Sequence, residues 1–357
     1  MSKEKQCKKE TCAKKTSIGG QALIEGIMMR GPKKSAMAVR NPEGEIVLEI
    51  WETQAKKPPK ILRLPIIRGV VGFISSMKAG YKALMRSAEI AGLEDEIKKE
   101  PIEAEAVDAA EEAPVTEATE PQTPAKQSDE KSSSVLMGVV MAVAGVLGVV
   151  LAVVLFVMLP TFLYKWCVPI MPFLAPDNAA LESLIKSAFE GILKIVVLVA
   201  YMLLVTLMKD IRRTFQYHGA EHKTIFCYEH GMELTVENVR RERRFHPRCG
   251  TSFLVLMLLV GMFISFFIDP LFIWLTGDVP PTILRALLKL LLLPLTMGIG
   301  YELIKLAGRH DNLFTRIISA PGMWLQRVTV LEPTDDMIEC AITAFKEVIP
   351  EDESDNF

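Results

Sequence analysis

The chain has 357 residues and a formal net charge of −2 at pH 7, with 50% hydrophobic and 24% charged residues. Its mean hydropathy of +0.26 exceeds that of typical soluble proteins, which excludes a wholly soluble globular protein and places part of the chain in a membrane. The six cysteines are scattered, which argues against a disulfide framework. We therefore expect a mainly α-helical, polytopic membrane protein with about four transmembrane helices and a small N-terminal cytosolic α+β segment.

The first 17 residues form a polar, lysine-rich tail without the apolar run of a signal peptide, so insertion is expected to depend on internal spans. Residues 18–92 follow as a cytosolic or interfacial segment that opens with the run GGQALIEGIMMRGP. Its glycines permit close backbone approach, and Gln21, Glu25 and Arg30 are its polar members. Two interpretations stay open: a loop that lines a site or dips into the membrane interface, and a structural hinge.

A β-hairpin is predicted next in the same segment. Residues 36–40 and 45–53 are β-like runs, and they flank Asn41-Pro42-Glu43-Gly44, a combination typical of turns. The hairpin gives the N-terminal segment a small sheet element.

An amphipathic helix is predicted over residues 64–92, where apolar residues recur with helical spacing and Arg68, Lys78, Lys82 and Arg86 form a basic face. This pattern is typical of a helix at a membrane surface, and a helix packed on the small sheet would explain it equally well. The following residues 93–134 are acidic, with thirteen Asp/Glu against four Lys between 93 and 131. Such a composition cannot offset the entropy cost of ordering, so it predicts a disordered linker.

The membrane domain is predicted to extend over residues 135–304 and to contain four spans. A helix needs about 20 mainly apolar residues to cross the hydrocarbon core of a bilayer. Four runs meet this requirement, and they cover residues 135–159, 189–208, 252–275 and 283–304.

The orientation of these spans follows from the charges in the short loops. Residues 209–251 carry nine Lys/Arg, whereas residues 160–183 carry only Lys165 and residues 276–282 carry none. Basic loops stay in the cytoplasm. We therefore expect a multi-pass protein of the cell membrane with a cytosolic 209–251 loop, a cytosolic C-terminal segment 305–357 and both termini in the cytoplasm.

The histidines point to a metal site in the 209–251 loop. On a helix continuing out of the second span, His218 and His222 lie one turn apart and can offer two imidazole nitrogens to one ion. The spacing H-x-x-E-H matches the inverzincin motif, in which the glutamate, here Glu221, acts as general base on a water activated by the metal. Histidines that cap a helix or contact phosphate at a basic interface are the alternative.

A second cluster, His246-Pro247-Arg248-Cys249, lies just before the third span. Because one loop joins the second and third spans, His246 and Cys249 could approach the histidine pair and complete a tetrahedral site for a divalent metal, with Zn²⁺ the natural ion for nitrogen and sulfur ligands. A basic anchor next to the membrane, with Cys249 a small buried residue, is the alternative.

Glu302 lies at the end of the fourth span, where an ionisable group is costly unless it is paired. It is a candidate for an additional carboxylate ligand. A pair with Lys305 or Arg309 is the alternative.

Several segments in combination resemble the YqhQ-like family of bacterial membrane proteins, commonly described as predicted metal-dependent enzymes. They are GGQALIEGIMMRGP, LPIIRGVVGF, YHGAEHK, HPRCGTSF, YELIKLAGRH and APGMWLQ. The resemblance covers residues 17–345 apart from the acidic linker. It implies His218, Glu221, His222, His246 and Cys249 as candidates for the metal site, without identifying a substrate.

Two functions are compatible with these patterns. The first is a metal-dependent hydrolase that acts at the membrane interface with Glu221 as its base. The second is a non-catalytic transport component or envelope-assembly scaffold with a structural metal site. In either case we expect membrane lipids and a membrane or cytosolic protein as partners, and no nucleic acid.

The loop charges generate a topology prediction. Reporter fusions at Lys14, Asn238 and Glu353 should read as cytoplasmic, and fusions near Asp177 and Asp278 as external, because Lys and Arg are concentrated on one side. Paired phosphatase and fluorescent-protein fusions measure this directly. An external reading at Asn238 would overturn both the topology and the cytosolic site.

Overall fold

The computed structural model describes residues 15–53, 59–92, 143–310, 312–352 and 354–355. The predicted disordered linker and the start of the first predicted span lie outside these residues, as does most of the N-terminal tail. The described part is mainly helical, with one small antiparallel sheet near the N-terminus. The coarse fold class expected from the sequence is therefore confirmed.

The sheet has four strands joined as a meander in chain order: β1 (Gly19–Leu23), β2 (Gly26–Arg30), β3 (Lys34–Arg40) and β4 (Ile46–Glu52). The predicted hairpin is confirmed as the β3–β4 pair, in which Arg40 faces Ile46. Its turn is closed by a hydrogen bond from the Gly44 N–H to the Asn41 carbonyl, and Gly44 has a positive φ of 88°. Glycine adopts that conformation without steric cost.

The glycine-rich run is not a loop or a hinge, because it forms β1, β2 and the turn between them. Both faces of β2 are buried, whereas β1 is half-buried or exposed except at Leu23. Ile27 and Met29 point into one apolar cluster, whereas Leu23 and Met28 point into another on the opposite face. A Cβ on Gly26 would lie 2.4 Å from the Ala38 carbonyl oxygen, so the glycine permits the close pairing of β2 with β3. A run buried on both faces lacks the alternation that reveals a strand.

Helix α1 (Ile67–Ile90) confirms the predicted amphipathic helix, and one of its faces packs on the sheet. Ala83 is buried there in the cluster with Leu23, Met28, Met37 and Val39. For this face, the structure therefore agrees with the alternative of a helix packed on the sheet. Another face exposes large apolar side chains, namely Ile74, Met77 and Tyr81.

Among the described residues, three helices are long and apolar enough to cross a membrane: α2 (Val143–Cys167), α3 (Ala179–Val205) and α6 (Gly250–Thr276). A fourth span is possible if the bent pair α7 (Thr282–Leu291) and α8 (Leu293–Arg309) crosses as one unit. The expected number of spans is consistent with this count.

The fourth predicted span, 283–304, contains a bend, because α7 and α8 meet at an angle of 44°. Pro294, at the start of α8, lacks the N–H needed to continue the ladder and breaks the helix there. The prediction that the histidines lie on a continuation of the second span is wrong, since α3 ends at Val205 and α4 (Lys209–Glu229) begins after the extended residue Met208.

The remaining helices are α5 (Val236–Arg241), α9 (Leu313–Thr329) and α10 (Asp335–Val348). Helix α10 packs against the sheet and α4, and residues distant in sequence share one buried cluster, including Ile27, Tyr217, Met337 and Phe345. We call β1–β4 with α1, α4, α5 and α10 the sheet unit. The N-terminal segment, the histidine loop and the C-terminal segment thus have a common core.

Helix α4 makes an unusually close approach at Gly219. A Cβ on this residue would lie 1.9 Å from the carbonyl oxygen of Leu331, in the connection between α9 and α10. Nearby, the Leu331 N–H donates to the Phe215 carbonyl at 2.9 Å. Glycine is costly inside a helix, and here it permits this contact.

This approach predicts a specific stability defect. Gly219→Ala should lower the free energy of unfolding by roughly 1–3 kcal/mol, because the added methyl group must displace a backbone carbonyl. Gly148→Ala, in helix α2 with nothing within 4 Å of the added Cβ, is the matched control and should be neutral or stabilising. Thermal unfolding of the purified protein in detergent measures both, and equal midpoints would contradict the close approach.

Candidate metal centre

The core of the site is a group of three side chains that approach one another closely. Helix α4 carries His218 and His222 on adjacent turns, with ring centroids 4.5 Å apart. Cys249, the residue before α6, brings its Sγ to 3.1 Å from Nε2 of His218. One potential ligand atom from each residue lies within 4.8 Å of the others, and all three residues are buried.

Backbone carbonyls orient both imidazoles. His218 Nδ1–H donates to the Thr329 carbonyl at 2.9 Å, and His222 Nδ1–H donates to the Arg244 carbonyl at 2.5 Å. A carbonyl oxygen only accepts, so each Nδ1 carries a proton, and each Nε2 is left as the nitrogen that can bind a metal once it is deprotonated. Metal-ligating histidines characteristically make this bond with their other nitrogen. The donor set, two imidazoles and one thiolate, therefore fits Zn²⁺ in chemistry and in orientation.

The three groups also perturb one another electrostatically. Burial alone would raise the pKa of the Cys249 thiol, but the adjacent His218 and His222 imidazoles hold that pKa well below its usual range. Burial opposes the charged form of His218, yet the Cys249 thiolate raises the pKa of His218 to about 9. The sulfur is thus favoured as a thiolate, the form that ligates metals.

Glu221 lies on the same helix and is almost completely buried. Its Oε1 accepts a hydrogen bond from the Gly20 N–H at 3.0 Å, and a Cβ on Gly20 would lie only 3.0 Å from the Glu221 carboxyl carbon. Burial raises the pKa of Glu221, and the His218 and His222 imidazoles oppose that rise without cancelling it. Strand β1 therefore positions the carboxylate through its backbone.

A small cavity of about 160 Å³ adjoins these residues. Glu221, His222 and Cys249 line it from one side, and the N-terminal segment from Thr16 to Gly20 closes another. A water molecule occupies about 30 Å³ in the liquid. The cavity accordingly has room for a few waters or a small part of a larger molecule.

His246 is close to the group but does not join it. Its ring packs on Phe226, with centroids 4.7 Å apart, and its Nε2 lies 3.6 Å from a carboxylate oxygen of Glu229. Burial lowers the pKa of His246 to about 4. Its backbone N–H donates to Gln326, and its carbonyl accepts from the same amide, both at 2.8 Å. Gln326 of α9 thereby fixes the segment that leads to Cys249.

Glu229 is a functional candidate that the sequence reasoning missed. This buried carboxylate accepts hydrogen bonds from Arg248 and from the Thr16 N–H, the latter at 2.9 Å. Burial would raise the pKa of Glu229, but hydrogen bonding to His246 and the charge of Arg248 lower it overall. Glu229 lies seven residues after His222, so helical periodicity places both on one face of α4.

The other predicted site residues lie elsewhere. Glu302 forms an ion pair with Arg68 of α1 rather than with Lys305 or Arg309, and Arg68 Nε donates to it at 2.6 Å. The remaining residues belong to the sheet unit. Glu25 pairs with Arg213, and Gln21 donates to the Gly80 carbonyl. Arg30 is exposed and, together with Gln21, lines a separate cavity of about 300 Å³.

The candidate spans and the buried His₂Cys group together define a class: a helical protein with three or four candidate membrane spans and a candidate metal centre beside a small sheet. Comparison with known proteins then identifies the family. A family model described as "Protein of unknown function (DUF1385)" matches residues 64–351. The "Uncharacterized protein YqhQ" of Bacillus subtilis (strain 168) is 32% identical over 339 residues, which cover 93% of this chain and 92% of that protein. The chain belongs to this YqhQ-like DUF1385 family. No solved structure matches it.

The geometry of the group predicts which histidines hold a metal. Purified protein should contain about one divalent ion per chain, and His218→Ala with His222→Ala should abolish it because two of three ligand atoms are lost. His246→Gln should retain the ion, since its ring faces Phe226 and Glu229. Elemental analysis of the variants beside His230→Ala, a histidine paired with Glu242 instead, measures this. Equal metal content in the wild type and the double variant would reject the centre.

Proposed function

We propose that the protein is a membrane-embedded, metal-dependent enzyme of hydrolase type. The observation that supports this most strongly is the incomplete ligand set. Within the described residues, three side chains converge, whereas structural zinc sites are almost always closed by four. An open position next to a buried carboxylate is the arrangement of a catalytic rather than a structural metal.

The side chains have distinct roles in this proposal. His218, His222 and Cys249 would hold the ion, and the carbonyls of Thr329 and Arg244 orient the two imidazoles for it. A divalent metal supplies Lewis acidity that polarises the substrate and acidifies water. Glu221, held by the Gly20 N–H, takes a proton from the attacking water and passes it to the leaving group, as a general base and then acid.

The environment of the centre supports a substrate drawn from the membrane interface. Cys249 directly precedes α6, a candidate membrane span, so the centre lies where such a helix would leave the hydrocarbon core. The N-terminal segment from Thr16 to Gly20 lines the cavity beside Glu221. A lipid or a membrane-bound peptide fits this location.

A transport function is the second candidate, supported by ionisable groups within the candidate spans. Glu190 of α3 forms an ion pair with Lys289 of α7 at 3.1 Å, beside a cavity of about 190 Å³. Asp269 of α6 pairs with Arg285 of α7 through an Nε–Oδ1 contact of 2.9 Å. Charged residues at such depth often mark transport pathways. Pairing between these charged residues also stabilises the packing of the helices. They therefore support transport less strongly than His218, His222 and Cys249 support catalysis.

Glu221→Gln separates catalysis from structure. The amide keeps the size and can still accept the Gly20 hydrogen bond, but it cannot act as a base. Metal content and thermal stability should persist, while activity or complementation of a deletion strain should fall by roughly 10²- to 10⁴-fold. Glu233→Gln, an exposed glutamate just beyond α4, is the matched control and should be silent.

The opposite pattern would identify a structural site. There, Glu221→Gln would be nearly silent, and Cys249→Ala would destabilise the protein because metal-binding energy is also folding energy. A Glu221→Gln variant with full metal, stability and complementation would reject the hydrolase and leave the transport or scaffold function.

A further inference from the structure

A large cleft of about 640 Å³ lies next to the candidate metal centre. One wall comes from Phe226 and Glu229 of α4, from Arg243 and from residues 245–248, and the other from the end of α8 and one face of α9. His246 and Arg248 line both this cleft and the small cavity beside Glu221. The two spaces are therefore neighbours across a single layer of side chains.

The cleft is strongly basic. Among the described residues that line it, five are cationic and one is a carboxylate. The carboxylate, Glu229, accepts hydrogen bonds from Arg248 and Thr16, and Lys15 donates to the neutral carbonyl of Gly308 at 3.2 Å. Cations thus outnumber carboxylates among these lining residues, which favours an anionic ligand. The five cations are Lys15, Arg243, Arg248, Arg316 and Arg327.

Helix α9 contributes two arginines to the cleft with helical spacing. Arg316, Ala320, Met323 and Arg327 follow one another at intervals of four, three and four residues, which places them on one face. Arginine binds phosphate oxygens through two parallel N–H donors, so two such residues on one face are suited to a phosphate group.

The same helix exposes an apolar stripe beside the arginines. Leu313, Ile317 and Trp324 are 75%, 62% and 69% exposed, and Trp324 also lines the cleft. Helix α9 directly follows α8, the last part of the candidate membrane domain, and Arg248 lies two residues before α6. The cleft is thus located where candidate spans end. An exposed apolar stripe next to arginines is typical of a helix in the membrane interface.

We propose that this cleft binds the phosphate-bearing headgroup of an anionic membrane lipid. Arg316 and Arg327 hold the phosphate, and the acyl chains extend along the stripe that contains Trp324. That a lipid of this class is also the substrate is a further step. It rests on the proposed hydrolase function and on His246 and Arg248, which line both the cleft and the cavity beside Glu221. The binding site itself depends only on the charge, the apolar stripe and the position of the cleft.

Lipid binding by the full-length protein tests the site. The purified chain in a zwitterionic detergent is titrated against fluorescent short-chain phosphatidylglycerol, and anisotropy gives Kd. Arg316→Gln with Arg327→Gln should weaken binding about 30-fold, the loss expected for two lipid-contacting arginines. The matched control is Arg240→Gln with Arg241→Gln, which removes the same charge from α5. These arginines pair with Asp335 and Glu237 and do not line the cleft, so Kd should change less than about 2-fold.

Competition distinguishes a lipid from soluble phosphate. Unlabelled phosphatidylglycerol should displace the probe, and phosphatidylcholine and inorganic phosphate should do so far more weakly. Trp324→Ala, an exposed position that does not threaten folding, should weaken binding of the lipid but not of glycerol phosphate. Equal Kd values for the two double variants would overturn the proposal. Displacement by inorganic phosphate as effective as that by the lipid would overturn the lipid as ligand.

A further variant separates failure of this site from failure of the hydrolase. The metal-free protein with His218→Ala and His222→Ala should keep its affinity for phosphatidylglycerol, because neither histidine lines the cleft. If lipid binding persists while Glu221→Gln remains fully active, the hydrolase is rejected and the lipid site stands. If cleft variants bind normally while Glu221→Gln is inactive, the lipid site is rejected and the hydrolase stands.

Discussion

The close approach of α4 to the connection between α9 and α10 is the constraint on which the candidate centre depends. Gly219 lets the helix touch the Leu331 carbonyl, and His218 lies within hydrogen-bond distance of the carbonyl of Thr329, the last residue of α9. Gln326, one turn earlier, holds the segment that ends at Cys249 through two backbone bonds. The ligands from both sides of the centre are thus positioned by a single stretch of the C-terminal chain.

The ionisable groups of this protein follow one rule in two environments. In the candidate spans, the buried carboxylates Glu190 and Asp269 pair with Lys289 and Arg285, because an unpaired charge away from water costs several kcal/mol. Near the centre, Glu229 is satisfied by a guanidinium and a backbone donor. Glu221 accepts one backbone hydrogen bond and has no ion pair with an arginine or lysine among the described residues, an arrangement that suits the proposed role as a base.

Local patterns in the sequence predicted part of this structure. Asn41-Pro42-Glu43-Gly44 located a hairpin, and the one-turn spacing of His218 and His222 placed two imidazoles together. The second glycine-rich strand, β2, was missed because both of its faces are buried, which removes the period-two signal. The partners of Glu302 and Glu229 were missed because they are distant in the sequence. Glu302 pairs with Arg68 of α1, and Glu229 pairs with Arg248 across the connection between α4 and α6. The length of the loop alone did not show that the His246 ring would face Phe226 and Glu229 instead of joining His218 and His222.

The candidate ligands come from two different parts of the fold. The histidines lie on α4 inside the sheet unit, whereas Cys249 immediately precedes α6, a helix apolar enough to lie in a bilayer. An axial displacement of α6 changes the distance from sulfur to the imidazole nitrogens almost directly, and metal coordination tolerates only about 0.2 Å. In the proposed centre, coordination by Cys249 would therefore couple the position of α6 to the sheet unit, and the affinity for the ion would depend on how deeply α6 is inserted in a bilayer.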